Sequence, residues 1–259
     1  MTVHTVPALS DNYIWLITDD ERHCAIVDPG DANVVLDALE RLNLTPVAIL
    51  LTHHHWDHSD GIPTLVERFN IPVHGPANEA QRLVTHPHRQ GDEFDIPNVG
   101  HFTVLDTPGH TLGHISFYSP GMLFCGDTLF TAGSGRLFEG SAAQMQASLA
   151  KIAELPDDTL IYCGHEYTAD NLRFASHVEP NNPDIAKRVA QVAAAREKGQ
   201  PCVPAPLGLE KATNPFLRVN IPELKMAAEL HEKRPLPTDS DVLSAVRKWK
   251  DLFDGLKPL

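Results

Sequence analysis

The sequence predicts an α/β fold in which strands outnumber helices, followed by a C-terminal all-helical unit. Over the first two thirds, short runs rich in β-branched and aromatic residues recur between turn signals, the pattern of strands. Apolar residues at helical spacing interrupt those runs at a few places. Beyond about Ala169 the strand pattern stops, and helical stretches joined by Pro-rich connections take over. The division this suggests is residues 1–168 and residues 169–259.

In chain order, strands are predicted over Val3–Pro7, Tyr13–Thr18 and Cys24–Asp28. The Asp28-Pro29-Gly30 turn stops the third strand, and helical periodicity follows over Ala32–Leu42. A strand at Val47–Thr52, a helix at Ile62–Phe69 and a strand at Val73–Gly75 come next. Phe102–Asp106, Ile115–Tyr118 and Met122–Cys125 read as strands, and Leu160–Cys163 as the last of them. Between these, a helix over Ala142–Glu154 starts behind Ser141, whose hydroxyl suits an N-cap. In the tail, Asp170–His177, Pro183–Lys198, Pro222–His231 and Asp239–Phe253 read as helices, linked through Pro201–Pro206 and Pro235–Pro237.

Composition narrows the function class. At 259 residues and 42% hydrophobic, the chain can bury a substantial core. A formal net charge of -13 argues against nucleic acid or an anionic membrane as partner, because both need clustered Lys and Arg. Met1–Leu9 lacks a basic segment followed by an apolar run, and no apolar stretch approaches the ~20 residues that span a bilayer. Cys24, Cys125, Cys163 and Cys202 are far apart with no C-x-x-C pair, so neither a disulfide framework nor a thiolate metal site is indicated. A cytoplasmic enzyme is the expectation.

The chemistry concentrates behind the Val47–Leu51 apolar run, in Thr52-His53-His54-His55-Trp56-Asp57-His58-Ser59-Asp60-Gly61. In an extended chain His53, His55 and Asp57 face one way, while His54 and Trp56 face the other. Four potential ligands lie within six residues. A catalytic ion takes about three protein ligands and keeps a position open, so two adjacent ions are implied. Three further segments share a form, a short apolar run ending in Gly beside a metal-compatible side chain: Leu105–His110, Leu123–Asp127 and Ile161–His165. Gly lets backbone approach a crowded centre where strands end.

The set is His53, His55, Asp57, His58, His110, Asp127 and His165, seven ligands that suit two ions sharing one. A carboxylate can bridge two ions, whereas a neutral imidazole has one free lone pair, so the bridge is Asp127 or Asp57. Such pairs sit about 3.5–4 Å apart and hold a shared hydroxide, since coordination lowers the pKa of water to about 7. Nitrogen and oxygen ligands of this mix suit zinc, iron or manganese without deciding among them, and zinc is the first expectation.

These residues, with Thr107-Pro108-Gly109-His110-Thr111, Gly126-Asp127-Thr128-Leu129-Phe130 and Cys163-Gly164-His165-Glu166-Tyr167-Thr168, resemble the metallo-β-lactamase superfamily and, within it, glyoxalase II, the hydroxyacylglutathione hydrolases. The likeness runs over nearly the whole chain. It includes Asn214-Pro215-Phe216-Leu217-Arg218 and Ala245–Asp251 of the tail, which are similar to family signatures. The resemblance implies a four-layer αββα sandwich followed by a helical, glutathione-binding domain. It implies one ion on His53, His55 and His110, a second on Asp57, His58 and His165, and Asp127 bridging them.

A glutathione thioester carries two carboxylates and needs cations near the ions. Arg247 and Lys250, three apart on the last predicted helix, share a face. Arg136 and Phe138 lie beyond the Asp127 strand, and Tyr167 close to His165. The resemblance places these five at substrate-binding positions. Many relatives have Lys and Tyr at the positions of Arg136 and Phe138, so a hydroxyl contact from 138 is lost here and a forked cation replaces a point charge. Without the family, Arg247 and Lys250 read as a solvated helix face paired to Asp251 and Asp239. His86 and His88 read as an exposed loop, His54 as a loop residue making hydrogen bonds, Trp56 as packing beneath the site, and the cysteines as inert core. Asp60 suits either holding a ligand imidazole or capping the following helix.

The implied reaction is hydrolysis of S-D-lactoylglutathione and related 2-hydroxyacyl thioesters to glutathione and the hydroxy acid, the second step of methylglyoxal detoxification, by a monomer. Bridging hydroxide attacks the carbonyl, with Asp127 and Asp57 as the catalytic carboxylates, and the thiolate leaves unaided because a thiol pKa is near 8.5. The rivals are another thioester or lactone hydrolase of the same fold and a persulfide dioxygenase with a single iron. A β-lactamase fits less well with Asp127, a nuclease with the acidic surface, and a structural metal module with so many ligands.

Overall fold

The computed structural model describes residues 1–19, 22–79 and 82–255. Two six-stranded sheets share one core. The first holds β1 (Thr2–Ala8), β2 (Asn12–Thr18), β3 (His23–Val27), β4 (Thr45–Leu50), β5 (Val73–Pro76) and β6 (His86–His88), in that spatial order. The second holds β7 (Glu93–Ile96), β8 (Gly100–Asp106), β9 (Ile115–Ser119), β10 (Met122–Gly126), β13 (Leu160–Cys163) and β14 (Ala205–Pro206). A two-stranded ribbon, β11 (Leu129–Phe130) with β12 (Gly133–Ser134), projects after β10. The helices are α1 (Ala32–Leu42), α2 (Trp56–Ser59), α3 (Ile62–Phe69), α4 (Ala142–Ala153), α5 (Thr168–Val178), α6 (Pro183–Arg196), α7 (Leu207–Thr213), α8 (Pro222–Glu232) and α9 (Asp239–Gly255).

Strand alternation decides the layers. Every residue of β2 is buried. Tyr13, Trp15 and Ile17 enter the core with Phe102, Phe117 and Phe124 of the second sheet, while Ile14 and Leu16 turn to Val35 and Leu39 of α1 and Leu65 of α3. Each fully buried Phe side chain there contributes roughly 1.5–3 kcal/mol of transfer free energy. On the far side, Met145, Leu149 and Ile152 of α4 complete the stack. The order is helix, sheet, sheet, helix, as the αββα expectation has it. Ser141 caps α4 through a capping box with Gln144, which satisfies otherwise unpaired N–H groups.

Four local readings change. His86–His88 is a strand, β6, paired parallel to β5. His74 Nδ1 lies 2.9 Å from His88 Nε2, and Phe94 stacks on both rings, an energy that exists only once distant segments meet. Asp57 and His58 stand on the helical turn α2, so the extended alternation holds from His53 to His55 and then ends. Trp56 is 61% exposed and does not pack beneath the site. The tail is not wholly helical: Ala205 pairs with Ile161, so β14 extends the second sheet from within the Pro-rich connection, and α7 follows directly.

The helical tail shares most of its interior with the second sheet, and a small cluster of its own gathers Leu172, Ala175, Ile185, Val192 and Cys202 around Ala132. Phe174, Val178, Leu224, Leu243 and Val246 belong to the same hydrophobic cluster as the second sheet. No helix among the described residues is long and apolar enough to cross a membrane.

Candidate metal centre

All the site-forming side chains follow strand ends on one edge of the paired sheets. β3 and β4 are parallel, β10 and β13 are parallel, and β8 shares the direction of β10 because β9 is antiparallel to both. The edge is stitched across the sheets, with Tyr13 N–H donating to the Gly164 carbonyl at 2.8 Å and Ile115 N–H to the Thr52 carbonyl at 3.0 Å. Backbone is so close to the centre that a Cβ on Gly164 would sit 2.5 Å from Asp127 Oδ1 and 2.6 Å from His58 Cε1. Gly126, just before Asp127, is left-handed at φ 46, and a Cβ there would meet Thr52 Oγ1 at 2.3 Å.

His53, His55 and His110 form one triad. His55 Nδ1 lies 3.1 Å from His53 Nε2 and 3.0 Å from His110 Nε2. The tautomers follow from the outer nitrogens. His110 Nδ1 donates to the Arg136 carbonyl at 2.8 Å, leaving Nε2 as a lone pair. Thr52 Oγ1 gives its hydrogen to Asp28 at 2.7 Å and accepts from His53 Nδ1 at 3.0 Å, leaving His53 Nε2 as a second. Burial keeps His53 well below the ordinary imidazole range and lowers His110 and His55. Neutral lone pairs that converge in this way are what a cation takes up.

Asp57, His58 and His165 form the second triad. Asp57 Oδ2 is 3.5 Å from His58 Nε2 and 3.4 Å from His165 Nε2, and Asn12 Nδ2 donates to it at 3.0 Å. His58 Nδ1 donates to Asp28 at 3.0 Å and His165 Nδ1 to Asp11 at 2.7 Å, so each ring turns Nε2 inward. Asp127 faces both triads, with Oδ1 3.4 Å from His58 Nε2 and Oδ2 3.4 Å from His110 Nε2 and 3.3 Å from His165 Nε2. Burial opposes charge on His58, but the carboxylates of Asp127 and Asp28 together outweigh it and push the imidazole up to about 10. His165 is raised on the same balance, its burial outweighed by Asp127, Asp11 and Asp57 together. Protons stand where positive charge is wanted. His58 Nε2 and Asp127 Oδ1 are buried with no hydrogen-bond partner, which costs free energy unless a cation satisfies them. The donor set therefore fits divalent metal.

Sequence reasoning missed the residues standing behind these. Asp28 also follows a strand, but it precedes its glycine (Asp28-Pro29-Gly30) where the other segments place Gly before the ligand, so it reads as an ordinary turn residue. Asp11 sits in an ordinary turn and carries no signal. His114, fully buried, stacks on His53 at 4.8 Å and accepts the Asp127 N–H at 3.2 Å. Asp60 is exposed and ends α2, so Asp28 has the role considered for it. His54 bonds Glu79 at 2.9 Å and Glu139 at 3.2 Å, as a loop residue should.

A cleft of about 580 Å³ opens beside the triads, lined by Asp127 and His110 and by Arg136, Phe138, Tyr167, Arg247 and Lys250. Tyr167 stacks flat on His165 at 4.7 Å, and Phe138, 63% exposed, lies edge-on to His55 and His110. Arg247 and Lys250 are not a solvated face; both are buried. Their partners are one turn on, Asp251 at 3.0 Å from Arg247 and Asp254 at 2.5 Å from Lys250, not Asp239. Asp251 also lies 3.6 Å from Arg136.

The fold and site define a class: the metallo-beta-lactamase superfamily model matches residues 9–165. The model described as hydroxyacylglutathione hydrolase C-terminus matches residues 166–253. A hydroxyacylglutathione hydrolase of Nitrosomonas eutropha is 50% identical over 252 residues, 97% of this chain and 98% of that protein. The BLEG-1 B3 metallo-beta-lactamase crystal structure has 27% identity and a TM-score of 0.62, covering 83% of this chain and 99% of that one. TTHA1623, crystallised in a di-iron-bound form, has 26% identity and a TM-score of 0.59 over 84% of this chain and 100% of that one. The chain belongs to the hydroxyacylglutathione hydrolase family.

Proposed function

We propose that this chain hydrolyses 2-hydroxyacyl thioesters of glutathione, S-D-lactoylglutathione first among them, at a centre of two divalent ions. The observation that carries this is one cleft lined by both the Asp127 centre and the cations Arg136, Arg247 and Lys250. A neutral ester would have no use for three cations, whereas glutathione brings two carboxylates. Membership in the family and the di-iron form of TTHA1623 support the same reading.

His53, His55 and His110 would hold one ion, Asp57, His58 and His165 the other, and Asp127 both. Bound there, such a pair supplies a hydroxide nucleophile at neutral pH and Lewis acidity for the carbonyl oxygen. Zinc fits the imidazole and carboxylate donors, with iron or manganese as alternatives. The chain's own residues do the rest. Asp28 and Asp11 keep His58 and His165 turned inward, and Asn12 fixes Asp57. Arg247 and Lys250 meet substrate carboxylate on the wall built by α9, and Tyr167 and Phe138 flank the thioester. A thiolate needs no general acid to depart, its conjugate pKa being near 8.5.

In this reading residues 1–168 carry the metal centre and residues 169–259 the glutathione contacts, in a cytoplasmic monomer. All four cysteines are buried as thiols, which suits a reducing compartment. The test is metal content per chain together with loss of thioester absorbance, using lactoylglutathione beside an unrelated thioester. Turnover of lactoylglutathione by protein holding two ions is expected; two bound ions with no thioester cleavage would overturn the assignment.

A further inference from the structure

The turn of the β11–β12 ribbon is held through its backbone, residue after residue, by side chains of the helical tail. Asn214 Nδ2 donates to the carbonyls of Phe130 at 3.0 Å and Gly133 at 2.9 Å. Asn171 Nδ2 donates to the Thr131 carbonyl at 3.0 Å, and Arg247 Nη1 to the Ser134 carbonyl at 2.8 Å. Glu210 Oε2 accepts the Ala132 N–H at 2.7 Å. All four side chains are buried, Glu210 and Asn214 completely.

Ala132 is left-handed at φ 55, a conformation that a residue with a Cβ keeps only when its surroundings impose it. The imposition comes from Glu210 and Asn214, which also bond each other at 3.1 Å.

Just beyond the ribbon the same backbone reaches the centre. The Arg136 carbonyl is the acceptor that fixes the His110 tautomer. Gly135, between, is pressed so closely that a Cβ would lie 2.0 Å from the Asp127 carbonyl oxygen. Little slack separates Ala132 from His110. Within the Asn214–Arg218 motif the labour divides: Asn214 holds the ribbon, Phe216 lies 5.0 Å from the Arg247 guanidinium, and Arg218 pairs with Glu179 and donates to the Lys211 carbonyl.

We propose that Asn214 and Glu210 are positioning residues: by clamping the ribbon from the tail they set the carbonyl that orients His110, and hence the affinity of the His53, His55 and His110 triad for its ion. This rests on the reading of that triad as a metal site. A purely structural role would lower stability without singling out one triad.

The experiment compares full-length wild type with Asn214→Ala, Glu210→Ala and Glu210→Gln, and with Arg218→Lys, which loosens the tail without touching the ribbon. Zn²⁺ affinities are read by competition with a chromophoric chelator, the His110 Nδ1–H signal by NMR, and thermal midpoints alongside. Asn214→Ala and Glu210→Ala are expected to weaken one of the bound ions about 10-fold or more, the scale for losing a group that orients a ligand. They should also shift the His110 signal. Glu210→Gln, which keeps an acceptor oxygen, should hold its ions with near wild-type affinity, and Arg218→Lys should lose midpoint without selective loss of an ion. If the alanine variants merely track Arg218→Lys, the positioning role is wrong. Should Asn214→Ala not fold, the Glu210 pair decides alone. Wild type binding no Zn²⁺ would overturn the metal reading itself and the inference with it.

Discussion

Oδ2 of Asp28 lies 3.0 Å from Nδ1 of His58, and the same carboxylate receives the N–H and the hydroxyl of Thr52. Asp28 thereby sets two rings, His58 directly and His53 through Thr52. Asp28→Ala is expected to weaken metal binding by about 10–100-fold, the usual consequence of removing the partner of a ligand imidazole. Chelator competition measures it, and unchanged affinity would remove Asp28 from the account.

Asp127 faces both triads with its two carboxylate oxygens. Asp127→Ala should lose metal and lower turnover by roughly two orders of magnitude or more. Elemental analysis and the thioester assay check this together. Two ions retained with a near-normal rate would contradict the assignment.

Lys250 sits buried with its ammonium against Asp254. A substrate carboxylate reaching it makes a charged hydrogen bond worth about 1.5–3 kcal/mol, so Lys250→Ala should raise KM about tenfold or more. Because Lys250 touches no triad residue, kcat should change little. Initial-rate kinetics separate the two constants, and a fall in kcat at constant KM would refute the substrate role.

Glu210 supplies a pH dependence of stability. Burial pushes its carboxyl up to about 7, against 4.5 for the free side chain, despite the bonds from Ala132 and Asn214. Between those values the folded chain keeps a proton that the unfolded chain has released, so stability falls as pH rises from about 4.5 to about 7 and is level above. The shift corresponds to roughly 3 kcal/mol at pH 8. Glu210→Gln removes the titration, and should gain on wild type at pH 8 but not at pH 4.5 in denaturant unfolding of the two metal-loaded proteins. Equal differences at both pH values would count against it.

By itself the sequence determined the helices α1 and α3 to the residue, most strands of both sheets, and the short contiguous motifs that carry the seven proposed ligands. Those features are local: side-chain period, turn chemistry and ligand type are written within a few residues of each other. Only the tertiary structure decided that Asp28 and Asp11 stand behind His58 and His165, the latter pair 154 residues apart, and that Asp251 and Asp254 neutralise Arg247 and Lys250. It also decided β6, β7 and β14, whose short polar or Pro-containing segments have little strand propensity of their own. Their pairing energy comes from neighbours distant in the chain, so no window of sequence contains it.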